Sequence, residues 1–168
     1  MVVRRAPTSP ALRLSWALVA TDKRIIGRVE RVDFPRFGLT GLEAKVDTGA
    51  RTSSIHCADV RVEAEHEDGS RHITFTLLDP EHPDYNGRRF RARRVGTRIV
   101  RSSNGEEQER HVVEVDVVIA GQTIRTEFTL ADREAMNYPV LLGRRLLRGH
   151  FLVDVARRRV ARELDEEE

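Results

Sequence analysis

From Arg24 onward, apolar residues alternate with polar ones or gather in short runs, rather than recurring at helical spacing. The pattern predicts strands over Ile25–Asp33, Leu39–Val46, Val60–Glu65, His72–Leu78, Arg88–Arg94 and Thr97–Arg101. Further strands are expected over Gln108–Ile119, Gln122–Leu130 and Phe151–Asp154, with a weaker one at Arg159–Arg162. Turn-forming residues separate them: Pro35-Arg36-Phe37-Gly38, Glu67-Asp68-Gly69-Ser70, Asp79-Pro80, Asn86-Gly87, Ser102-Ser103-Asn104-Gly105 and Ala120-Gly121. Asn-Gly and Asp-Gly tolerate positive φ and suit hairpins. Only Arg144–Arg148, just after Gly143, reads as a short helix. Many short strands with regular turns imply an all-β barrel or sandwich.

Composition narrows the picture. The chain has 168 residues, enough for one domain with a real core, and aromatics are only 5%, so Val, Ile, Leu and Ala should build that core. Lys and Arg number 29 against 27 acids, a net charge of +2, but the charges are uneven. Arg88, Arg89, Arg91, Arg93, Arg94, Arg98 and Arg101 make a basic stretch, and Glu163–Glu168 is acidic. Such a stretch either binds polyanions or is a solvated strand face. The single cysteine, Cys57, excludes an internal disulfide and fits a reducing, cytoplasmic setting. Ala11–Ala20 is apolar but interrupted by Arg13 and too short to span a membrane. Residues 1–22 read as a mobile tail, 23–162 as the domain, and 163–168 as an acidic tail.

Candidate chemistry centres on Leu42-Glu43-Ala44-Lys45-Val46-Asp47-Thr48-Gly49-Ala50. A strand delivers Asp47 into a tight turn, so backbone holds a carboxylate at the strand end. Asp-Thr-Gly-Ala after a hydrophobic strand resembles the signature of aspartic peptidases. Downstream, Tyr138-Pro139-Val140-Leu141-Leu142-Gly143-Arg144-Arg145-Leu146-Leu147 resembles the second signature of the retropepsin-like branch: a hydrophobic pair, then Gly, then a short helix. More narrowly, the chain resembles a bacterial family of small retropepsin-like proteins, often labelled ATP-dependent zinc proteases. Ala44–Ser53, the Ser103-Asn104-Gly105 turn with Glu109 and Arg110, and Tyr138–Arg144 carry that likeness.

The resemblance implies a closed retropepsin-like, acid-protease barrel that hydrolyses a peptide or protein substrate and needs no cofactor. It also implies an association with ATP-grasp ligases that add glutamate to proteins. Two carboxyls must share the site, and this chain has one Asp-Thr-Gly, so the pair requires Asp47 from both subunits of a homodimer. Thr48 would lock the two turns together, Gly49 would let the turn fold, and Ala50 would sit small beneath the site. Arg51 replaces the acid with which viral retropepsins bind substrate backbone; Leu142 and Gly143 would also contact substrate. Ser103, Asn104 and Gly105 would form the tip of a flap closing over it. Asp59–Arg94 lies between the turn and that flap as extra length. Dimer contacts are expected from Phe151–Val160 and the N-terminal arm.

If Arg51 and the basic stretch face the cleft, acidic, glutamate-rich peptides would be preferred. The rival readings are a non-catalytic binding module for acidic protein or nucleic acid, and a zinc hydrolase. Zinc finds no His-Glu-x-x-His, and adjacent His56 and Cys57 are expected as one buried and one exposed neighbour on a strand. The sequence therefore assigns no metal ligand.

Overall fold

The computed structural model describes residues 23–101, 105–131 and 137–160. Strands β1 (Arg24–Gly27), β2 (Val29–Phe34) and β3 (Leu39–Val46) open the domain, and a 3-10 turn at Pro35–Phe37 joins the last two. Next come β4 (Ser53–Val62), β5 (His72–Leu77), β6 (Arg89–Arg101), β7 (Glu107–Ile119) and β8 (Gln122–Ala131). The chain ends with β9 (Val140–Leu142), the short helix α1 (Arg144–Leu147) and β10 (Phe151–Asp154). The all-β expectation with one short helix holds. Eight strands form one sheet in the order β2-β3-β9-β4-β5-β6-β7-β8, which curls until β2 also meets β7 and β8 also meets β4. β1 and β10 pair in parallel as a separate two-stranded sheet.

Alternation explains most strands. In β3 the inward residues Leu42, Ala44 and Val46 are buried, and Glu43 and Lys45 are less so. β7 and β8 are joined through Ala120 and Gly121, both at positive φ (50° and 66°), as a two-residue hairpin of this twist requires. The core is more aromatic than the composition suggests. Phe34 stacks edge-on against Phe128 with ring centroids 5.4 Å apart, and Phe37 meets both Phe75 at 6.0 Å and Phe90 at 4.9 Å. Five of the six phenylalanines, Phe34, Phe37, Phe75, Phe90 and Phe128, thus join in one chain of ring contacts.

Several boundaries differ from expectation. The strand expected at Val60–Glu65 begins at Ser53. Its first five residues, Ser53 to Cys57, are all buried, so alternation is lost there. The cause is its position: β8 and β9 pair with this half of β4, making it a central strand in which residues facing either way are buried. His56 and Cys57 are consequently both buried, rather than one in and one out. Arg88–Arg94 and Thr97–Arg101 are one strand, bent by an irregularity between Arg94 and Gly96. Ile25–Asp33 breaks at Arg28 into β1 and β2. The extra length Asp59–Arg94 is no appendage: it supplies the end of β4, all of β5 and the start of β6. Arg159 sits at φ 56° outside any strand, and residues 161–162 of the weak strand lie outside the described residues, as do both expected tails.

Candidate active site

β3 runs directly into the turn that carries Asp47, and β9 decides how that turn is held. β9 pairs in parallel with β3 (Ala44 opposite Val140, Val46 opposite Leu142) and antiparallel with β4 (Ser54 opposite Leu141). It thus separates the strand entering the turn from the strand leaving it. The Asp47 N–H continues this ladder by donating to the Leu142 carbonyl at 2.9 Å. The side chain then closes the turn: Asp47 Oδ1 accepts the Gly49 N–H at 2.9 Å and the Ala50 N–H at 3.1 Å. Among the described residues, Oδ2 has no partner. The carboxylate is half-buried, with Thr48 and Gly49 exposed beside it. One oxygen is fixed by backbone and the other remains available for chemistry.

Gly143 explains why no larger residue can follow the hydrophobic pair. A Cβ there would lie 2.5 Å from the Thr52 carbonyl carbon and 2.6 Å from its oxygen. The Gly143 N–H donates to Ser53 Oγ at 3.1 Å, which pins the two segments together. α1 then starts with no side-chain cap. Its first orphan amides use the turn instead: Arg144 N donates to the Ala50 carbonyl at 2.9 Å, and Arg145 N to the Arg51 carbonyl at 3.1 Å. The Arg144 side chain adds a clamp, its Nη1 donating to the carbonyls of Thr48 (3.0 Å) and Gly49 (2.6 Å). Arg144→Ala is therefore expected to lower stability by about 1 kcal/mol. It should also speed hydrogen exchange at the Gly49 and Ala50 amides, measurable by NMR.

The structure brings Asp47, Thr48, Gly49, Ala50, Arg51, Leu142 and Gly143 into one place. Arg51 is exposed, and its side chain has no partner among the described residues, while Leu142 and Gly143 are buried beneath the turn. They support it from below, and neither presents a surface to a substrate. The expected flap is the far end of the β6–β7 hairpin. There Thr97–Arg101 pairs with Glu107–His111 and, unlike the rest of β7, this part has no strand on its other side among the described residues. Gly105 lies at its end, exposed, at φ 88°. Ser103 and Asn104 lie outside the described residues.

Sequence reading missed a junction between this arm and the turn. Arg98 of the arm and Arg145 of α1 both bond the same oxygen, Oε2 of Glu127 on β8. No local signal marks it, because Glu127 is 29 residues from Arg98 and 18 from Arg145 in the chain. Three more arginines of the basic stretch are ion-paired as well: Arg91 with Glu63, Arg89 with Asp59, and Arg101 with Glu107. These are mostly exposed pairs of the sheet surface, each worth little. As a group they are not an open cationic cleft.

Comparison with known proteins agrees with this geometry. The chain is 36% identical over 140 residues to a probable alpha-L-glutamate ligase of Shewanella pealeana, a match covering 81% of this chain and 29% of that protein. It is 33% identical over 138 residues to a protein of the same description from Desulfotalea psychrophila, covering 80% and 28%. The chain thus spans under a third of the length of these relatives. Among solved structures, the Legionella pneumophila protein Lpg0085, described as of unknown function, superposes with a TM-score of 0.68 at 25% identity, over 82% of this chain and 98% of that one. A family model described as retropepsin-like aspartic endopeptidase RimB matches residues 25–163, and the chain belongs to that RimB-like family.

Proposed function

We propose that two copies of this chain form an aspartic endopeptidase in which the paired Asp47 carboxyls activate one water. The observation that carries the reading is the turn itself. One Asp47 oxygen is committed to two backbone amides and the other is unpartnered within the described chain, at an exposed Thr-Gly edge. Two carboxyls a few Å apart hold one proton between them. The ionised member takes a proton from the water as it attacks the scissile carbonyl. The protonated member donates to the carbonyl oxygen, and the resulting tetrahedral species collapses with proton transfer to the leaving amine. The β6–β7 arm would close over the peptide and exclude bulk water.

The supporting feature for a dimer is the β1–β10 sheet. A two-stranded sheet is marginal alone, and among the described residues each of its strands has an unpaired outer edge. Its outward residues include Ile25 (46% exposed), Leu152 (48%) and the following Val155 (71%), an apolar surface that a second copy would cover.

Acidic peptides fit the charges beside the turn. Arg51 has no side-chain partner among the described residues, so its guanidinium beside the turn is free to pair with a glutamate carboxylate. The relatives' description as glutamate ligases favours the same class, since α-linked glutamate is joined by a peptide bond that such an enzyme could hydrolyse. The test compares cleavage of oligo-glutamate and apolar peptides at several protein concentrations. The glutamate peptide should be preferred by about tenfold or more, a preference worth at least roughly 1.4 kcal/mol that Arg51→Ala reduces. Specific activity should fall on dilution. Cleavage without acidic preference would reject the substrate class, and activity independent of concentration in a monomeric sample would reject the shared site.

A further inference from the structure

Away from the Asp47 turn, the hairpin joining β4 to β5 gathers a second set of chemically capable side chains. Glu63 follows the last residue of β4, His66 lies in the turn, and His72 opens β5. One ligand-competent atom from each lies within 4.8 Å of the others. The His66 and His72 rings are nearly perpendicular, with centroids 4.9 Å apart. The turn between them is closed by its own backbone: His66 N donates to the Ser70 carbonyl at 2.9 Å, Gly69 N to the His66 carbonyl at 2.9 Å, and Glu63 N to the His72 carbonyl at 2.9 Å. The three side chains are therefore carried on a pre-formed loop.

Two further observations point to a cation. His72 Nδ1 is buried and has no hydrogen-bond partner among the described residues, an unsatisfied polar atom of the kind folded proteins rarely keep without a use. Arg91 already occupies the cluster with a positive charge. Its Nε and Nη2 hold Glu63 at 2.7 to 3.0 Å, and Nη2 lies 3.1 Å from His66 Nε2. A guanidinium can only donate, so His66 Nε2 must accept, and its lone pair points at Arg91. A neutral imidazole nitrogen with its lone pair available is the form a metal ion binds, once Arg91 gives way.

We propose that Glu63, His66 and His72 form a binding site for a transition-metal ion, Zn2+ foremost, that clips the β4–β5 hairpin, with Arg91 as the cation it displaces. Two imidazoles and a carboxylate are a common zinc donor set and leave one position for water. Ligand atoms about 2.0–2.2 Å from a tetrahedral ion lie closer together than those here, so the turn closes slightly on binding. Arg91 and Glu63 form an exposed pair, which yields readily to a divalent ion. The site is independent of the Asp47 chemistry.

Calorimetric titration of the full chain with Zn2+ tests the site, together with Co2+ spectroscopy for tetrahedral d–d bands. One equivalent of Zn2+ should bind with micromolar or tighter affinity. His66→Ala and His72→Ala should each weaken it by more than the roughly 10–100-fold that losing an outer-shell partner costs. Arg91→Ala should tighten it several-fold, because the competing cation is gone, whereas His82→Ala and His150→Ala should leave it unchanged. Should His72→Ala fold poorly, His66→Ala, on the exposed turn, carries the comparison. Zinc bound no better by the wild type than by His66→Ala, or an Arg91→Ala variant that binds more weakly, would overturn the proposal.

Discussion

Asp47→Asn should lower peptide hydrolysis by roughly four orders of magnitude or more while leaving the fold and the dimer in place. The asymmetry between the two effects follows from the turn. An asparagine carbonyl oxygen can accept the Gly49 and Ala50 amides as Oδ1 does now, so the loop keeps its hydrogen bonds. The amide cannot take a proton from water or share one with its partner, so the chemistry stops. Mixing makes the test sharper. If both subunits contribute, subunits exchanged at equal amounts should retain about a quarter of the activity per subunit pair, since only pairs with two intact carboxyls work. A residual activity falling linearly with the fraction of mutant would mean that each chain acts alone. Circular dichroism and sedimentation of the variant separate loss of chemistry from loss of structure.

Gly143→Ala is the second large effect, and it falls on stability. The new methyl carbon would need the place of the Thr52 peptide group, with contacts of 2.5 to 2.9 Å to three backbone atoms. Backbone on both sides of the contact is fixed: Gly143 N is bonded to Ser53 Oγ, and Leu142 O to Asp47 N. Neither segment can yield without breaking a bond that shapes the Asp47 turn. The expected cost is about 3 kcal/mol or more, read as a lower denaturation midpoint with an unchanged slope. Gly96→Ala is the control. That residue sits at a strand irregularity, and an added methyl group would meet nothing within 4 Å, so its replacement should stay within about 0.5 kcal/mol. Equal effects at both positions would show that close packing under the turn is not what requires glycine.

How far the chain could be read before its fold was known varies from element to element. β3 and β7 were recoverable because each buries one face, so burial follows the period of the backbone. The Asp47 turn was recoverable because its hydrogen bonds run between residues two and three apart, all written in one short motif. The start of β4 was not. Ser53, Ser54, His56 and Cys57 are not residues that announce a central strand, and they are buried because β5, β8 and β9 become its neighbours. The arginines misled for a related reason. They form a basic run along the chain, but their partners Asp59, Glu63 and Glu127 arrive from other strands.

The amino-acid order by itself determined most of the strands, the hairpin turns and the acid-bearing loop, because alternation, positive-φ residues and short-range amide bonds are local physics. Tertiary structure alone decided that β9 passes between β3 and β4, that Arg144 and Arg145 grip the loop, and that Glu63, His66 and His72 meet Arg91. Such contacts depend on which distant strands become neighbours, and no local pattern encodes that choice.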